Sequence, residues 1–146
     1  MTRAVLDSSV LVSAFLTAGG TSYAVLSAAR RGAFVLCLSG AILDETRRSL
    51  RNKVKTIRRH YTYPDERIDA HIADLAALAE PITDLPGLRV VPLDPDDDVI
   101  VATAAKAGAD YLVTGDRHLL SLGAYEGIRM VTPRQFLDLL EGSGAG

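Results

Sequence analysis

The chain has 146 residues, of which 48% are hydrophobic, enough for one compact domain with a core of useful size. No run approaches the ~20 uninterrupted apolar residues of a membrane-spanning helix, and the first residues lack the charged and apolar regions of a secretion signal, so a cytoplasmic protein without a membrane partner is expected. A formal charge of −2 and a single cysteine, Cys37 within an apolar run, exclude an internal disulfide and a cysteine-rich zinc site, and give no bulk signature of a nucleic-acid binder.

In chain order, Ala4-Val5-Leu6 reads as a strand that stops at Asp7-Ser8-Ser9, followed by Val10, Leu11, Ala14 and Phe15 at helical spacing. After Gly19-Gly20, Ser22 is positioned to cap a helix over Tyr23 to Arg31 that Gly32 closes. Phe34 to Leu38 is apolar throughout, as a parallel strand buried on both faces would be. Ser39 can cap a helix from about Gly40 to Arg51, with Ile42, Leu43, Thr46 and Leu50 facing inward and Glu45 on the same helix.

The pattern breaks around Tyr61 to Pro64, then resumes over Asp65 to Ala79 with Ile68, Ile72, Leu75 and Leu78 on one face. Pro81 ends it. Arg89 to Leu93 reads as a third strand, an acidic loop with Asp94, Asp96, Asp97 and Asp98 follows, and Val99 to Ala107 forms a helix ended by Gly108. Tyr111 to Thr114 is a fourth strand leading to Asp116, and Ile128 to Val131 a fifth. Thr132, Pro133 and Gln135 combine a cap, a helix-starting proline and a capping box for a last helix through Leu140. The domain is therefore expected over residues 1–141, with 142–146 a disordered tail. Alternating short strands and helices imply an α/β fold of three layers, a parallel sheet of about five strands between helices.

In such a sheet, functional groups gather beyond the carboxyl ends of the strands, and Asp7, Asp116 and the acidic loop all stand there. Grouped carboxylates need a positive charge to offset their repulsion. An all-oxygen set suits Mg²⁺ or Mn²⁺, and His60, His71 and His118 have no zinc-ligand spacing. Taken singly, Asp7, Asp98 and Asp116 could be mere helix caps and Glu45 a solvated helix residue. Their joint position at strand ends favours a common site.

Charge is also segregated: the stretch 47–59 carries Arg47, Arg48, Arg51, Lys53, Lys55, Arg58 and Arg59 without an acid. It reads either as a phosphate-steering surface or as a solvated face. Tyr61 and Tyr63 could stack on unpaired bases or simply pack.

Val5-Leu6-Asp7-Ser8-Ser9-Val10, the helical Glu45, Asp94-Pro95-Asp96-Asp97-Asp98 leading to Ala104, and Leu112-Val113-Thr114-Gly115-Asp116 together resemble the PIN-domain family, in its order, across nearly the whole domain. The closest branch comprises toxin components of toxin–antitoxin systems. The resemblance implies a Rossmann-like sheet and a Mg²⁺- or Mn²⁺-dependent ribonuclease acting on RNA, with an antitoxin as partner in toxin members. It assigns metal binding and catalysis to Asp7, Glu45, Asp97 and Asp116, with Asp98 as the alternative register to Asp97. Ser9 and Thr114 fill the small hydroxyl positions that support the acids, and Arg47, Arg48, Arg51, Lys53 and Lys55 are the candidate RNA-binding residues. Family members often pair, so the face around Ile68 and Ile72 is either a homodimer interface or an internal core contact.

Other readings are weaker. A haloacid-dehalogenase phosphatase needs a second Asp where Ser9 stands, and a phospho-receiver domain needs a lysine after a late strand that is absent here. A PIN-like module that binds RNA or protein without cleaving is the non-enzymatic alternative.

Overall fold

The computed structural model describes residues 1–57, 65–87 and 95–144. Strand β1 (Arg3–Leu6) leads into helix α1 (Ser8–Leu16), then come α2 (Thr21–Arg30), β2 (Val35–Ser39), α3 (Gly40–Ile57), α4 (Asp65–Leu78) and β3 (Glu80–Ile82). Helix α5 (Pro95–Ala107), β4 (Tyr111–Val113), α6 (Arg117–Leu122), β5 (Ala124–Tyr125), β6 (Ile128–Val131) and α7 (Pro133–Gly144) complete the order.

The sheet order is β3-β2-β1-β4-β6-β5, parallel except for the edge strand β5, which runs antiparallel to β6. Sequential strands build outward from β1 in one direction through β2 and β3, whereas β4 docks on the other side of β1. That reversal leaves the carboxyl ends of β1 and β4 side by side, with Leu6 opposite Val113. Helices flank the sheet: α5 packs on β1 to β4, and α3 joins α1, α4 and β2. This is the α/β layering expected.

Four expected strands or their cores appear as β1, β2, β4 and β6. The strand expected over 89–93 lies outside the described residues, as do Asp94, Tyr61 and Tyr63. Strands β3 and β5 were not anticipated: β3 follows α4 almost immediately and carries Pro81, tolerable because it is an edge strand. Residues Glu126 and Gly127 join β5 to β6 with φ of 47° and 84°, a two-residue turn of the primed kind that matches strand twist.

The apolar stripes behave as read. Ile42, Thr46 and Leu50 of α3 and Ile68, Ile72 and Leu75 of α4 are buried. Burial of Ile68 and Ile72 inside the chain makes that face a core contact and removes it as a dimer surface. Cys37 is fully buried in the central cluster, and burial pushes its thiol pKa up, as for an inert core residue.

Four helix boundaries differ from expectation, the first being the end of α3, which runs on to Ile57 past the expected Arg51. Helix α2 starts at Thr21 with Gly20 at the cap position, so Ser22 lies inside the first turn rather than capping it. Helix α5 starts at Pro95, which puts Asp96, Asp97 and Asp98 in its first turn instead of a preceding loop. Proline at the first position and acids near the positive end of the helix dipole favour that start, although a run of aspartates reads locally as a turn. Helix α7 continues to Gly144, past the expected end at Leu140. Among the described residues no single helix is long and apolar enough to cross a membrane.

Candidate functional site

Asp7 follows β1 directly and caps α1: its Oδ1 accepts from the backbone N–H of Ser9 at 3.0 Å and from the Ser8 hydroxyl at 3.2 Å. The strand ladder runs one step past β1, since Asp7 N–H donates to Val113 O, which fixes the aspartate against the end of β4. Thr114, fully buried next to that end, donates its hydroxyl to Asp7 Oδ2 at 2.5 Å and accepts the N–H of Asp116 at 3.0 Å. One threonine oxygen therefore spans the acids of two adjacent strand ends. Asp116 in turn caps α6 through Oδ1, which accepts from His118 N–H at 2.7 Å and Leu119 N–H at 3.4 Å.

The other two acids come from helices. Ser39 at the end of β2 accepts the Ile42 N–H at 3.5 Å, starting α3 close to the sheet. Its hydroxyl also accepts from Thr103 of α5 at 2.9 Å, a buried bridge that ties α3 to α5. Glu45 is one turn into α3 and half-exposed; Asp97 is in the first turn of α5 and buried, 4% exposed. Nothing in the sequence pairs Ser39 with Thr103, 64 positions apart, so this bridge was not anticipated.

These elements converge on a cavity of about 430 Å³ lined by Asp7, Ser8, Ser9, Glu45, Asp97 and Asp116, with Ala41, Ile42, Val99, Ile100, Gly115 and Arg48 completing the wall. The four expected acids thus share one cavity. Asp98 is not among the lining residues. Ser9 reaches Asp7 through its backbone N–H, whereas the side-chain support comes from Ser8 and Thr114.

The basic stretch divides. Arg48 lines the cavity and pairs with Glu45, its Nη2 2.8 Å from Oε2, while Ser49 donates to Oε1 at 3.3 Å. Arg47 and Arg51 point elsewhere, at 3.5 and 3.6 Å from Asp69 of α4. Lys53 is exposed, and the side chain of Lys55 lies outside the described residues.

The donors at the cavity are carboxylates and hydroxyls, with no histidine or cysteine in the lining. Among the described residues, no three His, Cys, Asp or Glu side chains stand grouped so that they could hold a metal ion by themselves. An open, all-oxygen set of this kind fits a hard cation that keeps part of its water shell, rather than zinc in a closed site.

Residues 3–118 match the PIN domain family. Among solved structures, the chain is similar to the crystal structure of PAE2754 from Pyrobaculum aerophilum, with a TM-score of 0.64 at 17% identity over 97% of this chain and 90% of that one. At that identity the likeness speaks for the fold. No curated protein matches.

Proposed function

The chain belongs to the PIN-domain family, whose fold is generally that of metal-dependent nucleases, and from that premise we propose that it is an endoribonuclease requiring Mg²⁺ or Mn²⁺. The observation that carries this reading is the convergence of Asp7, Glu45, Asp97 and Asp116, from four separate segments, on one cavity at the sheet's switch point. Asp7, Asp97 and Asp116 would hold the cation in part through waters of its shell, with Glu45 holding a second or orienting water. When bound, such a cation lowers the pKa of water in its shell and offsets charge on the phosphate.

The residues of the chain supply the rest. Thr114 and the N–H groups at the starts of α1 and α6 hold the Asp7 and Asp116 side chains in position at the strand ends. Ala41, Ile42, Val99 and Ile100 give the cavity an apolar side that limits water around the reacting phosphate. No serine–histidine pair is needed: among the described residues His71 sits in the core against Leu11, and His118 is exposed.

Within this reading the chain acts as the toxin of a toxin–antitoxin pair, with a protein antitoxin as partner and a cytoplasmic site of action. The decisive assay is cleavage of single-stranded RNA with Mn²⁺ or Mg²⁺, with and without EDTA, for the wild type and for Asp7→Asn, Asp97→Asn and Asp98→Asn. Loss of cleavage with EDTA and in the first two variants, with activity retained in the third, is expected. Undiminished cleavage in Asp7→Asn and Asp97→Asn refutes the assignment, and RNA binding without cleavage by the wild type would instead make the chain a non-catalytic binding module.

A further inference from the structure

Arg48 is the one cationic side chain in the cavity lining among the described residues, and it stands among four carboxylates. It lies at the mouth: its side chain is 68% exposed and that of its partner Glu45 is 37% exposed. The two are three residues apart on one helix, an arrangement that holds weakly in water and exchanges readily. Its neighbours Arg47 and Arg51 are engaged with Asp69, so the helix directs this single guanidinium into the acidic cavity.

Two demands compete for Glu45 Oε2. A divalent cation using that oxygen must displace the guanidinium, because both would be positive and within contact distance of the same atom. A phosphodiester entering the cavity meets four carboxylates and, at Arg48, the one cationic side chain of the described lining, and guanidinium is the group whose planar donors match a phosphate. We propose that Arg48 is an exchangeable counter-ion: it neutralises Glu45 while the site is empty of cation, yields that carboxylate to the incoming cation, and turns to a backbone phosphate of the RNA. This rests on the metal-dependent nuclease reading and deepens it. It makes Arg48 a substrate-contacting residue that also sets the metal affinity of the free protein.

The two halves of the proposal move in opposite directions, which a structural role would not do. Mn²⁺ affinity is measured by calorimetry without RNA for the wild type, Arg48→Met, Arg48→Lys and Arg51→Met, each first checked by thermal melting. Binding of a labelled phosphorothioate RNA oligonucleotide is then followed by anisotropy in saturating Mn²⁺. Arg48→Met should bind Mn²⁺ roughly 3- to 5-fold more tightly, the scale of an exposed ion pair, and bind RNA roughly 10-fold more weakly. Arg48→Lys should fall between it and the wild type on both measures, and Arg51→Met should leave the Mn²⁺ affinity unchanged. Unaltered or weaker Mn²⁺ binding by Arg48→Met, equal tightening by Arg51→Met, or unchanged RNA binding by Arg48→Met overturns the exchange. If the wild type itself takes up no Mn²⁺, the nuclease reading fails and the exchange with it, which separates the two failures.

Discussion

Replacing Thr114 by valine isolates the link between the acids of β1 and β4. Valine has nearly the same shape but lacks the hydroxyl that donates to Asp7 Oδ2 and accepts from Asp116 N–H. The residue is fully buried, so water cannot substitute for either bond. Losing a hydrogen bond to a charged acceptor costs about 1.5–3 kcal/mol and losing a neutral one about 1 kcal/mol, while the added methyl group returns on the order of 1 kcal/mol. The net expectation for Thr114→Val is a loss of roughly 1.5–3 kcal/mol. For a domain of this size that lowers the melting temperature by about 4–9 °C. Thr114→Ser keeps the hydroxyl and loses one methyl, so it should cost only about 1 kcal/mol. Thermal unfolding by circular dichroism in EDTA therefore ranks wild type above serine above valine. Apolar burial alone predicts the reverse order of the two variants, and a valine variant that melts with the wild type or above the serine variant would show that the bridge carries no weight.

His71 supplies a second test: burial against Phe15 lowers its pKa below the ordinary 6.5, outweighing the opposing hydrogen bond of Nε2 to Leu11 O at 3.2 Å; Arg30 also lowers it and Asp74 opposes. The unfolded chain then takes up a proton near pH 6.5 that the native state resists, so stability is full above that pH and falls as pH drops below it; His71→Leu should flatten this slope in urea titrations between pH 7 and 5, and an unchanged slope would exonerate the histidine. At the last helix, Thr132 and Gln135 exchange bonds of 2.9 and 3.1 Å; Thr132→Ala should cost about 1 kcal/mol, and adding Gln135→Ala should cost less than its separate effect, whereas strict additivity in melts would deny the reciprocal cap. In the β5–β6 turn, Glu126→Asn should raise stability by about 0.5 kcal/mol because asparagine tolerates positive φ better; a loss would mean that the glutamate side chain holds the turn.

Much of this organisation was legible because it rests on local chemistry. The all-apolar β2, the Thr132–Gln135 box and the stripes through Ile42, Thr46, Leu50, Ile68 and Leu75 follow from periodicity and capping, which nearby residues determine. The acids at the ends of β1 and β4 were legible for the same reason, since a short apolar run ending in Asp marks a strand terminus. What the sequence concealed depends on tertiary pairing. Strands β3 and β5 are three and two residues long and exist through their neighbours, so no local pattern announces them. The Ser39–Thr103 bridge and the sorting of Arg48 from Arg47 and Arg51 arise only when α3 meets α5 and α4.

The sequence poses capping and catalysis as rival readings of Asp7 and Asp116, and the geometry leaves room for both, since each residue caps a helix and lines the cavity. Each carboxylate spends Oδ1 on helix N–H groups while its residue lines the cavity. Those N–H groups, and the Thr114 hydroxyl on Asp7, set partial positive charge beside the carboxylates. The repulsion among the acids is thus partly offset before any cation binds, by α1, α6 and the Arg48 guanidinium beside Glu45. Under the proposed function, a cation would then be needed for the reaction rather than for folding. The consequence is that stripping divalent ions with EDTA should leave the melting temperature nearly unchanged while abolishing cleavage. A large destabilisation by EDTA would mean that the carboxylates, left to themselves, cannot tolerate one another at this site.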